Sequence, residues 1–438
     1  MAANRSRGRF SLNRRTFAGG SAAVLATAPW MRAGAQDASP AAGGQGEDQL
    51  EVFSWWTNPG EVDGLQALFD HFSQSSPGVE IINATVAGGA GVNAQVALQN
   101  RLNGGDPPDS WQTHPGAELF DLYVDPGFCD PVTDLWEENG WDDVYPQGII
   151  DQLERDGEKW LVPVGVHRGN VMFYNKQVVA DAGVEITDEM TVDQFFEIAE
   201  ALGEDVPALG LANQDQFPAP QLLENILLAQ LGPEGYNGLW DGSVGWDSED
   251  VTAAIETMAQ MLQYSNDDYS ALTWDAAADL VIEGRAAMTS MGDWAWGFFV
   301  GRGVEDQIGY VAHPGTAGSF MSVIDGFTMA AGAPHPINAR NWLLTCGNID
   351  AQTAFAPFKG AIPARTDADT SGFNEYMQWS ANDFVNGTVV PSMAHSQAAS
   401  PQFKQSIFDA TNAFLASGDT ALFQEELVFA AEEAQLGE

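Results

Sequence analysis

The chain has 438 residues, with 61 Asp plus Glu against 17 Lys plus Arg and a formal net charge of −44. A field of that sign repels phosphate backbones and anionic headgroups, which argues against nucleic-acid binding and polybasic membrane docking. Disorder is the other reading of extreme charge, but 45% hydrophobic residues, 24 Phe and 14 Trp supply a packed core, and a chain of this length is expected to form two or three domains or two lobes.

Six of the 17 bases (Arg5, Arg7, Arg9, Arg14, Arg15 and Arg32) precede the first acid, Asp37, so the rest of the chain sets 61 acids against 11 bases. Only four lysines occur: Lys159, Lys176, Lys359 and Lys404. Self-repulsion on this scale is strong at low salt, where the Debye length is about 30 Å, and largely vanishes in molar salt, where it is about 3 Å. The composition therefore reads as that of a protein built for high salt, as in a halophile.

The first 35 residues read as an export signal: Arg14-Arg15 precede a weakly apolar stretch over 17–30 and a small-residue Ala33-Gly34-Ala35 site. The stretch is shorter than the roughly 20 residues needed to span a bilayer. The twin-arginine pair implies export of folded cargo, and no Cys stands beside the site to accept a lipid. The leader is either cleaved or kept as an anchor on the outer face of the membrane. Residues 36–49 (QDASPAAGGQGEDQ) read as a flexible acidic tether.

Past the tether, apolar spacing predicts a strand at 50–56, a helix at 62–73 (Leu65, Leu68, Phe69, Phe72), a strand at 79–86, a helix at 92–102, a strand at 110–113 and a helix at 117–124. Such alternation implies an α/β domain on a mainly parallel sheet. From Thr191 onward helices dominate, at 191–202, 221–231 and 250–264.

Gly89-Ala90-Gly91-Val92-Asn93-Ala94 fits the G-x-G-x-x-A pattern, with Asp109 20 residues beyond its first Gly. Asp109 begins a strand after Pro107-Pro108 instead of ending one, so a tight strand-to-helix turn is the better reading. The histidines are scattered, none i, i+4 from another, and no G-x-S-x-G or Cys/His set occurs. No metal, cofactor or catalytic residue is expected, although 61 carboxylates leave an acid and base pair open. Cys129 and Cys346 either pair or remain buried thiols. Asn83-Ala84-Thr85 and Asn386-Gly387-Thr388 carry the glycosylation pattern.

Aromatic and lone polar residues cluster at predicted element ends: Trp55-Trp56, Gln112-Thr113-His114, Trp274, and Gly292-Asp293-Trp294. Open α/β sheets bind ligands beyond the carboxyl ends of strands. Tryptophan faces suit polarised C–H groups, and Asp, His, Lys and Asn bind hydroxyls directionally. That combination fits a sugar.

The run from Phe53 to Gly116, with LVPVGVHRGNVMFYNK (161–176), LTWDAAADLVIEGRAAMTSMGDWAWG (272–297) and PFKGAIPAR (357–365), resembles the sugar-binding subunits of ABC importers. These belong to the extracellular solute-binding proteins that include maltose-binding protein, and the likeness is greatest to the glucose-binding branch. It extends from about residue 50 to the C-terminus. The resemblance implies a two-lobed α/β fold with three crossings, closing on ligand like a hinged clamp. The N-terminal lobe would take 50–163 and 312–358, and the C-terminal lobe 164–311 and 359–438. Carried over, the site would use Trp55, Trp56, Glu61, His114, Trp274, Trp294, Asp325, Lys359 and His395, with Trp274 or Trp294 stacked on the pyranose. The expected partners are a sugar and the permease subunits of an importer powered by a cytoplasmic ATPase, with the protein acting as a monomer. An exported carbohydrate hydrolase and a surface sensor without transport are the competing readings.

The residues themselves support two of these assignments and leave one stretch open. Lys359 is one of four lysines in a chain that has shed them, and Asp325 follows the strand-like 321–324, so both stand out on their own. The stretch Asn213 to Pro220 (NQDQFPAP) departs from the family pattern, which leaves the sugar's size and identity open. His167 and Arg168 lie on the first crossing, where pairing between lobes is expected ahead of ligand contact.

Overall fold

The computed structural model describes residues 48–87, 92–187, 189–203 and 206–434. The leader, the tether to residue 47 and the Gly89-Ala90-Gly91 turn lie outside the described residues.

The larger sheet contains β1 (Gln49–Phe53), β2 (Glu80–Asn83), β3 (Ser110–Thr113) and β4 (Cys129–Asp130). A two-stranded hairpin, β5 (Glu154–Arg155) and β6 (Glu158–Lys159), precedes β7 (Val162–Arg168), which rejoins that sheet. A smaller sheet is built from β8 (Val171–Asn175), β9 (Met288–Met291) and β10 (Ile308–Ala312), in the order β10-β8-β9. The chain then returns through β11 (Ser319–Ala330) and later β12 (Thr388–Pro391), so that the large sheet runs β12-β11-β3-β1-β2, with β4 and β7 also paired to β11.

All twelve residues of β11 are buried. A strand covered on both faces reads as a continuous apolar run, and β11 does so except at Ser319, Ser322, Asp325 and Thr328. It pairs in parallel with β12 but antiparallel with β3, β4 and β7. The expected mainly parallel sheet is therefore corrected to a mixed one, and the smaller sheet is antiparallel throughout. The physical reason is connectivity: β11 re-enters from the smaller sheet's side and runs against β3 and β7, which no local pattern encodes. The lobe boundary expected at 163/164 falls inside β7, and β12, expected in the C-terminal lobe, hydrogen-bonds to the large sheet.

The helix Glu61–Ser75 buries Leu65, Leu68, Phe69 and Phe72 on one face, at the spacing that predicted it. The helix Val192–Leu202 starts at a capping box in which Thr191 and Gln194 satisfy each other's backbone amides. The region 117–124 is a short helix, Ala117–Leu119, continuing into a π turn, Phe120–Val124. The predicted helix 221–231 belongs to a longer one, Pro218–Asp241, kinked at Gly232. Its first eleven residues are all buried, so it has no apolar stripe from which periodicity could set its length.

One core forms around the smaller sheet and its helices, including Phe173, Phe195, Leu223 and Met288. A second lies beneath the large sheet, including Trp136, Val164, Phe327 and Trp342. Cys129 and Cys346 are buried free thiols, and burial raises the Cys129 pKa to about 12. Asp109 is fully buried and structural: its carboxylate takes the Glu51 amide (2.7 Å) and both the amide (2.6 Å) and Nδ1 (2.9 Å) of His335. None of the described helices is long and apolar enough to cross a membrane.

Candidate functional site

A cavity of about 190 Å³ opens where the carboxyl ends of β1 and β3 and the middle of β11 face the elements of the smaller sheet. All nine side chains assigned above line it. Trp55, Trp56, Glu61, His114 and Asp325 arrive from the large-sheet side, and Trp274, Trp294 and His395 from the other. Lys359 enters from the end of the helix Ile349–Lys359.

Local structure aims these groups. Glu61 opens the helix Glu61–Ser75 and Lys359 closes its own, so each charge sits at the helix end whose dipole favours it. Gly60 and Gly360 flank this pair with φ of 84° and 74°. A Cβ on Gly60 would lie 2.6 Å from the Phe358 carbonyl oxygen, and one on Gly360 only 2.2 Å from that of Asp293. Glycine is required at both positions for the backbones to converge. The register of β11 against β7 shifts between Asp325 and Gly326, the kind of irregularity that re-aims a side chain.

The charges form a connected network. Lys359 Nζ donates to Glu61 Oε1 at 3.1 Å, stands 4.0 Å from Asp325 Oδ2, and lies 5.0 Å from the centre of the Trp56 ring. Glu61 Oε2 accepts from the amides of Thr57 (3.2 Å) and Asn58 (3.1 Å). Asp325 accepts from Gln112 Nε2 at 2.8 Å and from His167 Nε2 at 3.0 Å. Burial alone would raise the Asp325 pKa, but the hydrogen bond from His167 and the charges of Lys359, His167 and His114 outweigh it and hold it well below the usual carboxylate range.

His167 Nδ1 meets Asp293 Oδ1 at 2.5 Å. A carboxylate against each ring nitrogen favours the doubly protonated imidazolium of His167, between Asp325 of β11 and Asp293 just beyond β9. Burial opposes that charge, yet the two carboxylates outweigh it and raise the pKa. Arg168, wholly buried, donates to Asp383 at 2.6 Å. His167 thus pairs across the crossing as well as touching the cavity, whereas the Arg168 ion pair with Asp383 lies within the stretches assigned to one lobe.

His114 Nδ1 pairs with Glu118 Oε2 at 2.9 Å, leaving Nε2 3.7 Å from Asp325 Oδ1. His395 packs against Trp294 (ring centres 5.0 Å apart), Phe217 (5.6 Å) and His114 (5.8 Å). Burial, with the charges of His114 and Lys404, pushes its pKa well below the ordinary value, so the ring is neutral.

The four tryptophans differ. Trp56 is 1% exposed, its ring enclosed by Phe327, Phe355 and Lys359, so it is a core residue whose edge forms the floor. Trp274 is 6% exposed and meets Phe298 edge-on, while Asp215 accepts its backbone N–H at 2.8 Å and so caps the helix Trp274–Ile282. Trp55 and Trp294 are half-buried, leaving ring surface open to the cavity. Sequence reasoning missed Thr57, Asn58, Asp215, Phe217 and Asp275 on the wall, and Gln112 behind it. The only available signal was the departure at 213–220, which holds Asp215 and Phe217; Gln112 stood in the strand-end triplet without being assigned.

A model of the bacterial extracellular solute-binding protein family matches residues 58–345. The chain is 34% identical over 383 residues, 87% of it and 86% of the relative, to an uncharacterized ABC transporter extracellular-binding protein of Pyrococcus horikoshii. It is 27% identical to the xylose/arabinose-binding protein XacG of Haloferax volcanii, covering 81% of this chain and 78% of that one. Among solved structures, the bacterial solute receptor AcbH, described as exclusive for β-D-galactopyranose, superposes with a TM-score of 0.80 at 17% identity. That match covers 89% of this chain and 99% of AcbH and shows the shared two-lobed fold.

Proposed function

Because this chain belongs to the bacterial extracellular solute-binding protein family, we propose that its cavity captures a sugar of one or a few rings and presents it to an importer's permease. One observation carries this reading: half-buried tryptophans and a charge network of Glu61, Lys359 and Asp325 converge on one enclosed space between two sheets. Flat apolar rings beside fixed hydroxyl partners are what a pyranose requires.

In this proposal Trp294 or Trp274 stacks on the pyranose. Trp294 is favoured by its open face. Asp325 and Glu61 accept from hydroxyls, and Lys359, with one of its three donors taken by Glu61, donates to a hydroxyl or ring oxygen. His114 and His395 act as donor or acceptor according to tautomer. Trp55 and Trp56 complete the wall. The lobes would be 50–163 with 312–358 and 164–311 with 359–438, closing about the crossings.

Relatives are named for xylose, arabinose and galactopyranose, so pentoses and galactose join glucose as candidates. Export through the twin-arginine leader 1–35, action as a monomer and adaptation to molar salt complete the proposal. Capture is favoured over hydrolysis by Asp325, the most buried carboxylate lining the cavity, which is held ionised and hydrogen-bonded and so is unsuited to act as a general acid.

The test is isothermal titration with tryptophan fluorescence in molar KCl, using D-glucose, D-galactose, D-xylose and L-arabinose. One-to-one binding without product supports capture. Turnover, or no binding by any sugar, refutes it.

A further inference from the structure

Glu224 is wholly buried in the helix Pro218–Asp241, and its carboxylate faces the loop after β12 that carries His395. Its two oxygens have different partners. Oε2 accepts the backbone N–H of Met393 (2.7 Å) and of Ala394 (3.0 Å), with Tyr236 Oη at 3.4 Å. Oε1 accepts the hydroxyl of Ser392 at 2.8 Å. That same Ser392 Oγ receives the His395 backbone N–H at 3.3 Å and lies 3.0 Å from His395 Nδ1.

The distances along this chain favour one proton arrangement for each state of Glu224. With Glu224 ionised, the only hydroxyl proton of Ser392 points to Oε1. Ser392 Oγ can then only accept, so His395 must carry its proton on Nδ1, leaving Nε2 a bare acceptor. With Glu224 protonated, Oε1 is the better seat for the proton, because Oε2 is held by two backbone N–H groups and its only other neighbour, Tyr236 Oη, is 3.4 Å away, against 2.8 Å from Oε1 to Ser392. Oε1–H then donates to Ser392 Oγ, the Ser392 proton turns to His395 Nδ1, and the imidazole must carry its proton on Nε2. One proton is taken up, and no charge reaches the imidazole.

We propose that Glu224 is a positioning residue that sets, through Ser392, which tautomer His395 presents to the ligand cavity, so that Nε2 is an acceptor when Glu224 is ionised and a donor when it is protonated. The consequence for ligand binding rests on the capture function proposed above; the tautomer relay itself does not.

The surroundings suit such a relay. Burial raises the Glu224 pKa to about 7, only partly offset by the bonds from Ala394, Ser392 and Met393, so the group changes state near neutrality. Among the described residues no lysine, arginine or histidine forms an ion pair with it, and Tyr236 is the titratable side chain in contact. His114, Lys404, Asp325 and His167 surround the His395 ring, and its depressed pKa keeps it neutral while Glu224 titrates.

The experiment is 15N NMR of the full chain labelled at histidine, in molar KCl at pH 5.5 and 8.5, with the His395 signals assigned by their loss in His395→Gln. The wild type is expected to show the Nδ1–H tautomer at pH 8.5 and the Nε2–H tautomer at pH 5.5. In Glu224→Gln the amide oxygen must face the two backbone N–H groups and the NH₂ must face Ser392, so Nε2–H is expected at both pH values. Ser392→Ala cuts the link and should abolish the pH dependence, which provides an independent arm if Glu224→Gln does not fold. An unchanging wild-type tautomer, or Nδ1–H in a folded Glu224→Gln, overturns the proposal. Parallel titration of the wild type with D-glucose, D-galactose and D-xylose tests the capture reading separately; its failure would leave the tautomer result intact.

Discussion

Lys359 and Glu61, 298 positions apart in the sequence, form a 3.1 Å ion pair on the wall of the cavity, with the lysine only 4% exposed. Each stands at the helix terminus whose dipole favours its charge, and Trp56 underlies the ammonium. The pair is the one place where the otherwise acidic cavity holds a lysine, and it is where hydroxyl recognition is proposed.

Replacing Lys359 with Met keeps the length of the side chain and removes the charge. Glu61 then loses its cation and Asp325 keeps that of His167, and sugar affinity is expected to fall about 100-fold, or about 2.7 kcal/mol. Isothermal titration in molar KCl reads this. Affinity within threefold of wild type would remove Lys359 from the site.

His167 bridges Asp325 and Asp293, joining the two sheets behind the cavity. His167→Leu strips the buried Asp293 of its ion-pair partner and Asp325 of one of its partners, and is expected to destabilise the fold by about 3–5 kcal/mol. Guanidinium denaturation measures it, and a loss below about 1 kcal/mol would mean that the bridge is not a structural clamp.

Trp294→Ala removes the more open of the two candidate stacking faces, and a loss of at least about tenfold in affinity is expected, about 1.4 kcal/mol. Trp274→Ala and His395→Ala are each expected to weaken binding at least about tenfold as well. If Trp274→Ala costs more than Trp294→Ala by titration, the sugar stacks on the more buried ring.

His313 is buried, with Nδ1 2.9 Å from Ser290 Oγ, and burial lowers its pKa from 6.5 to about 3. The folded state resists a proton that the unfolded chain accepts below pH 6.5. Stability from this site is therefore full above pH 6.5 and is lost as the pH falls toward 3, at about 1.4 kcal/mol per unit. Glu224 acts in the opposite sense between pH 7 and 4.5, since its raised pKa favours proton uptake on folding. The site is isolated by comparing wild type with His313→Gln in denaturation series from pH 7.5 to 4, where the gap between them should shrink on acidification. A constant gap would contradict the assignment.

The net charge of −44 makes a salt prediction. Raising KCl from 0.1 to 2 M should raise the midpoint of thermal unfolding, because screening relieves repulsion among surface carboxylates. Calorimetry showing no rise would argue against adaptation to high salt.

The sequence by itself determined the family, the helix faces and the side chains that gather at the cavity. Helix faces such as Leu65, Leu68, Phe69 and Phe72 were legible because burial on one side imposes a 3.6-residue period. Lys359 was legible because cations are scarce, and the long Trp-Trp, M-G-D-W and P-x-K-G-x-I blocks carried most of the remaining assignments. Only the tertiary structure decided that β11 runs antiparallel to β3 and β7, that Trp56 is floor where Trp55 and Trp294 keep open faces, and that Asp215 and Phe217 join the wall. It alone linked Glu224 to His395, 171 positions further along the chain. Those relationships depend on which distant segments meet, and contacts between segments leave no period or motif in either one.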